Sequence, residues 1–205
     1  MIRVLLAEDH KIVRDGLKGI LGATHDIRVA GEAANGDEAL ALAKANDYDV
    51  AMLDMSMPGL SGIDLIKRLK SEKPALRVLV LSMHGEQQYA ARALKAGASG
   101  YLTKDSAAEH LVGAIRKIAA GGVHISDAAA AGLVAAQQMP HQALSDREFE
   151  VLRLRATGLS PTEIGERLHL SVKTVSTHKA NVLEKLALGG TAELVRYALE
   201  HKIVE

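Results

Sequence analysis

The chain has 205 residues, 25 Lys plus Arg against 25 Asp plus Glu, and no cysteine. Zero net charge announces no polyanion partner, and the missing cysteine excludes disulfides, thiolate zinc sites and cysteine nucleophiles. The length allows one large domain or two small ones, and with aromatics at 2% Leu, Val, Ile and Ala must fill the core. The amino terminus meets Glu8-Asp9 before a secretory apolar segment could form, and no apolar run approaches a membrane span. A soluble, cytoplasmic protein with no membrane partner is the expectation.

Residues 1–120 alternate short apolar runs with amphipathic stretches. The runs Arg3–Ala7, Ile27–Ala33, Val50–Leu53, Arg77–Leu81 and Gly100–Leu102 read as strands. Helices are predicted over Lys11–Leu21, Gly36–Ala45, Ile63–Ser71, Glu86–Lys95 and Ala107–Ala120. Five βα units in series predict an α/β domain, a doubly wound parallel sheet of five strands with helices on both faces. The last helix is expected to start at a capping box, Ser106-x-x-Glu109, and to end at Gly121-Gly122.

Residues 121–143 read as a linker, with helical content over the alanine-rich stretch Ala128–Gln138. From Leu144 the strand signal disappears. Ser145-x-x-Glu148 and Ser160-x-x-Glu163 are capping boxes, and Ser171 is an N-cap ahead of Val172 and Lys173. A fourth helix is expected from near Thr191 to about His201. Residues 144–205 therefore form a second, all-helical domain, in which the helices over about 161–168 and 172–186 meet through a tight turn as a helix-turn-helix.

Chemistry gathers at the strand ends of the first domain. Glu8 and Asp9 follow the first strand, Asp54 ends the third, Ser82 ends the fourth and Lys104 follows the fifth. In a parallel sheet these ends share one edge, so the groups converge. Three carboxylates repel one another unless a cation neutralises them. All-oxygen ligands suit Mg²⁺ with a phosphoryl oxygen as partner. With the Lys104 charge and the Ser82 hydroxyl, the set is that needed to accept a phosphoryl group, Asp54 being the nucleophile. Neither nucleotide loop, Gly-x-x-x-x-Gly-Lys-Ser/Thr nor Gly-x-Gly-x-x-Gly, is present. The nine histidines show no metal-ligand spacing and read as surface or capping residues.

In the second domain, the third helix sets Val175, Val182 and Leu186, with His178 beside them, opposite Lys173, Ser176, Thr177 and Ala180. A core-facing stripe backed by small polar and basic side chains suits the major groove. Acidic Asp146, Glu148 and Glu150 crowd the first helix, whereas Lys173, Lys179 and Lys185 fall on the third. Ser176, Thr177 and Ala180 are expected at base edges with Lys173 and Thr174 nearby, and Lys179 and Lys185 at phosphates.

Taken together, Leu-Leu-Ala-Glu8-Asp9-His, Leu-Asp54-Met-Ser-Met-Pro58-Gly, Val-Leu-Ser82-Met and Gly-Tyr101-Leu-Thr-Lys104-Asp resemble the receiver domain of two-component response regulators, whose sheet is flavodoxin-like. The segments around Ser145, Ser160 and Ser171 resemble the LuxR-type DNA-binding domain. The whole chain is similar to the NarL/FixJ class. That resemblance implies Mg²⁺ on Glu8, Asp9, Asp54 and the carbonyl of Ser56, phosphoryl transfer to Asp54 from a sensor histidine kinase, and Ser82 and Tyr101 as switch residues. It also implies Lys104 on the phosphoryl oxygens, promoter DNA bound at paired half-sites, and a homodimer when phosphorylated. Gly165 departs from the family's usual alanine, and the expected cost is helix stability alone. A regulator rather than an enzyme is expected. A phosphotransferase or phosphatase with an aspartyl-phosphate intermediate is the alternative from another class, and an orphan regulator that ignores phosphate is a third.

Overall fold

A computed structural model describes residues 1–60, 62–82, 87–125 and 139–204. Five strands, β1 (Ile2–Ala7), β2 (Ile27–Ala33), β3 (Val50–Asp54), β4 (Arg77–Ser82) and β5 (Gly100–Thr103), make one sheet in the order β2-β1-β3-β4-β5. Every pairing is parallel. Crossovers are α1 (Lys11–Gly22), α2 (Gly36–Ala45), α3 (Gly62–Glu72) and α4 (Gln87–Lys95), and α5 (Lys104–Ala119) closes the domain.

Both faces of the sheet are buried, which is why its strands read as continuous apolar runs rather than alternating ones. Val4, Leu6, Val50, Met52, Leu79 and Leu81 pack on one side against Leu17 and Leu21 of α1 and Leu111, Ile115 and Ile118 of α5. Leu5, Ala51, Leu53, Val78 and Val80 pack on the other against α2, α3 and α4. The chain runs outward from β1 to β2 and returns to β3 on the opposite side of β1, so the order reverses between β1 and β3. The crevice at such a reversal is where open sheets hold ligands.

The start of α5 differs from expectation. Thr103 is its N-cap and accepts from the Ser106 N–H, and the Ser106 hydroxyl turns back to the Thr103 carbonyl at 3.0 Å. Ser106 is thus inside the helix, and Lys104 stands in its first turn rather than in a loop.

The second domain contains α6 (Asp146–Ala156), α7 (Pro161–Leu168), α8 (Val172–Lys185) and α9 (Thr191–Glu200), preceded by a short 3₁₀ turn, Pro140–Ala143. Both expected capping boxes are formed, at Ser145 with Glu148 and at Ser160 with Glu163, and Ser171 caps α8. The helix expected over Ala128–Gln138 lies outside the described residues. No helix among those described is long and apolar enough to cross a membrane.

The two domains touch. Arg92 of α4, 7% exposed, donates to the His141 carbonyl at 2.7 Å, the Leu144 carbonyl at 3.1 Å and the Asp146 carboxylate at 3.0 Å. Its guanidinium carbon lies 4.3 Å from the centre of the Phe149 ring. Lys67 of α3 also pairs with Asp146, and Arg147 pairs with Asp64 of α3 at 2.9 Å. His141, expected among the surface histidines, is fully buried in this junction.

Candidate functional site

The strand-end groups converge as expected. Glu8 and Asp54 are buried, Asp9 is partly exposed, and ligand oxygens of all three, with a nitrogen of His10, lie within 4.8 Å of one another. Lys104 Nζ is 2.6 Å from Glu8 Oε2 and 3.0 Å from Asp54 Oδ2. His10 Nδ1 lies 3.2 Å from Glu8 and 3.0 Å from Asp9. His10 thus joins a cluster from which its sequence context had excluded it, although its side chain is largely exposed.

The charges are unbalanced. Burial, then the neighbouring Glu8, pushes the Asp54 carboxyl above its usual range, while Lys104 and the Ser56 N–H pull it back. Burial also works against the Lys104 ammonium, but the attraction of Glu8 and Asp54 outweighs that, so it is raised. Glu8 Oε2, Asp9 Oδ1 and Asp54 Oδ2 are buried and make no well-angled hydrogen bond. The contacts of Lys104 and His10 with them are therefore charge proximity rather than aligned donation. Buried carboxylate oxygens left in this condition are costly. The donor set is hard and anionic, with an open mouth at Asp9, and it fits a hard divalent cation.

Ser56 follows in the turn after β3. Its N–H donates to Asp54 Oδ1 at 3.2 Å, and its carbonyl accepts from Arg167 Nη2 of α7 at 3.5 Å. Ser82 ends β4, and Tyr101, buried in the core on the α4 side, sits opposite Val80 in the next strand. Glu8, Asp9, Asp54 and Lys104 therefore meet directly, with Ser82 one strand away and Tyr101 beneath it.

In the second domain α7 ends at His169, which adopts a left-handed conformation (φ 53°), and Ser171 opens α8 two residues later. Gly165 is explained here. A Cβ at that position would come 2.6 Å from the Leu170 carbonyl, whose own N–H donates to the Gly165 carbonyl at 2.8 Å. The glycine permits this close turn, so the expectation of a helix-propensity cost alone is corrected. On α8, Val175, Val182 and Leu186 are buried, while Lys173, Ser176, Thr177 and Ala180 are exposed, as the periodicity predicts. Thr174 bonds the capping Ser171 hydroxyl at 2.7 Å, and the Thr177 hydroxyl donates to the Lys173 carbonyl at 3.0 Å. Lys179 is half-buried. Lys185, expected at a phosphate, bonds Glu148 at 2.7 Å. Its charge offsets the burial that would otherwise raise Glu148. Lys185 and the Ser145 cap hold that carboxyl down at about 2.

Comparison with known proteins agrees with this geometry. Residues 4–116 match the response regulator receiver domain family, and residues 142–198 match the luxR family of bacterial regulatory proteins. Response regulator UvrY of Escherichia coli is 35% identical over 207 residues, covering 98% of this chain and 95% of its own. A solved structure of the response regulator RcsB from Salmonella typhimurium superposes with a TM-score of 0.78 at 30% identity, covering 98% of each chain. A second RcsB structure, bound to a promoter in the presence of phosphomimetic BeF3−, gives 0.72 at 29% identity, covering 96% of this chain and 97% of that one. With a receiver fold, a strand-end acid cluster and a LuxR-type helix-turn-helix in one chain, this protein belongs to the NarL/FixJ class of two-component response regulators.

Proposed function

We propose that Asp54 accepts a phosphoryl group from a sensor histidine kinase and that this controls binding of the second domain to promoter DNA. The observation that carries the proposal is Lys104, bridging Glu8 and Asp54 at 2.6 and 3.0 Å across the buried end of the sheet. In the transfer, an Asp54 carboxylate oxygen forms a bond to phosphorus as the phosphorus–nitrogen bond of a phosphohistidine breaks, leaving an aspartyl phosphate and a free imidazole. Lys104 is already placed beside the reacting oxygen. Glu8, Asp9, Asp54 and the Ser56 carbonyl would hold Mg²⁺, which supplies neutralising charge for the transferred group. The Ser82 hydroxyl then bonds a phosphoryl oxygen, and Tyr101 follows the β4 end that moves with it.

For DNA, the exposed face of α8 supplies Ser176, Thr177 and Ala180 to base edges, with Lys173 and Thr174 beside them and Lys179 at the phosphates. Two copies of the chain meet two half-sites, as symmetry requires of a paired operator, and the work is done in the cytoplasm. The test is intact-mass measurement after incubation with a small phosphodonor and Mg²⁺. The wild type gains one phosphoryl group, and Asp54→Asn gains none. An Asn variant modified as fully as the wild type overturns the assignment.

A further inference from the structure

The second domain reaches the acid cluster itself. Arg167, in the last turn of α7, donates to the carbonyl of Ser56 at 3.5 Å. This is the backbone oxygen that the proposed phosphoacceptor site assigns to the metal, so the inference rests on that reading. His169, two residues on, lies over the same loop: a Cβ placed on Gly59 would fall 3.9 Å from its Nε2. The α7–α8 turn is thus seated on the β3–α3 loop. Arg167 itself is exposed, and its position rests on that of its domain. The domain that carries it is anchored elsewhere by Arg92 on the His141 and Leu144 carbonyls, by Asp146 between Arg92 and Lys67, and by Arg147 on Asp64.

A guanidinium on one lone pair of this carbonyl leaves the other free for a cation, but its positive charge then stands within a few ångströms of that cation. The fixed positive charge beside the cluster raises the local potential against a second cation. We infer that Arg167 makes the docked DNA-binding domain an antagonist of divalent-metal binding at the phosphoacceptor site. The coupling is reciprocal: whatever the docked domain takes from metal affinity, bound metal takes from docking. Metal loading and domain release are then two readings of one equilibrium, before any phosphoryl group arrives.

The contact is long and exposed, so the expected effect is on the order of two- to fivefold in affinity. The experiment measures Mn²⁺ binding to the full chain by the electron paramagnetic resonance signal of the free ion, without phosphodonor or DNA. Arg167→Gln binds Mn²⁺ two- to fivefold more tightly than the wild type, and Arg167→Lys lies between them. The double variant Arg92→Ala/Arg147→Ala, which removes the bonds to the His141 and Leu144 carbonyls, to Asp146 and to Asp64 and leaves Arg167 intact, tightens binding in the same direction. Equal or weaker binding by Arg167→Gln overturns the inference, as does tightening confined to Arg167→Gln, which would be a charge effect unrelated to docking. Asp9→Asn separates this failure from failure of the site. If Asp9→Asn abolishes Mn²⁺ binding while Arg167→Gln changes nothing, the metal site stands and the antagonism falls. If the wild type binds no Mn²⁺, or Asp9→Asn binds it as well as the wild type, the metal site falls and takes the inference with it.

Discussion

His141 makes the junction between the domains pH-sensitive in a predictable direction. Its ring is fully buried. Nδ1 meets the Tyr197 hydroxyl at 2.9 Å, Nε2 has no hydrogen-bond partner, and Phe149 and His201 pack around it. Burial, then the nearby His201 and Arg92, lowers its pKa from 6.5 to about 4. A base whose folded pKa is depressed stays neutral while the unfolded ring takes up a proton. The stability it contributes is therefore complete above pH 6.5 and is lost as pH falls from 6.5 toward 4. At about 1.4 kcal/mol for each pH unit of that gap, the loss is about 3 kcal/mol in total, and about 2 kcal/mol of it is gone by pH 5. Two measurements check this. Nuclear magnetic resonance of ring-labelled histidine, with His141→Gln identifying the signal, places its midpoint near 4. Urea titrations show His141→Gln less stable than the wild type at pH 7.5, with the gap closing by about 2 kcal/mol at pH 5. Titratable groups that do not touch His141 cancel in the comparison of the two proteins. A ring that titrates near 6.5, or parallel pH slopes for the two proteins, refutes the reasoning.

Other expectations follow from single contacts. Gly165→Ala forces a Cβ to 2.6 Å from the Leu170 carbonyl. It should cost about 1–3 kcal/mol of stability, read by urea denaturation, although helix propensity alone predicts a gain. Ser82→Ala should still accept phosphate on Asp54 but respond weakly, since a lost charge-assisted hydrogen bond is worth about 1.5–3 kcal/mol; the check is DNA affinity before and after phosphorylation. Thr177→Ala should lose about 1–3 kcal/mol at the preferred site and relax discrimination, whereas Lys179→Ala should weaken all duplexes alike and lower the salt slope by about one. Specific and scrambled duplexes across a salt series separate these two outcomes.

Most of the scaffold was legible because its determinants are local. Strands buried on both faces leave continuous apolar runs, and the predicted Ile27–Ala33, Gly36–Ala45 and Pro161–Leu168 match the observed elements residue for residue. The acid cluster was legible because parallel topology alone brings strand ends together. Errors arose where a partner lies far along the chain or where two local signals compete. Thr103 and Ser106 both make good N-caps, and the former wins at α5. Gly165 looks like a weak helix residue until the Leu170 carbonyl is seen above it. The bond of Lys185 to Glu148, 37 positions earlier, leaves no local signal. Burial of His141 depends on Arg92, 49 positions earlier, and on Tyr197, 56 positions later. No periodicity in the chain encodes such pairings.

The contact between domains constrains how the switch can act. Lys173, Ser176, Thr177 and Ala180 remain exposed with the receiver docked, so the receiver does not work by covering these side chains. What it restrains is the entry to α6. Arg92 holds two carbonyls and the Asp146 carboxylate at once while lying on Phe149. Those bonds are short and directional, and a shift of α4 by an ångström or so would break several together rather than stretch them all. The helix that carries Arg92 also carries Ala90 and Ala93, which share one apolar cluster with Tyr101. A rearrangement at Ser82 and Tyr101 therefore has a packed route to Arg92. Close-packed cores rearrange between discrete states rather than deforming smoothly, so the switch proposed above would release the second domain as a unit. Such a release would free α8 to take the spacing and orientation that two half-sites demand, which a helix tethered through α6 to its own receiver cannot adopt independently.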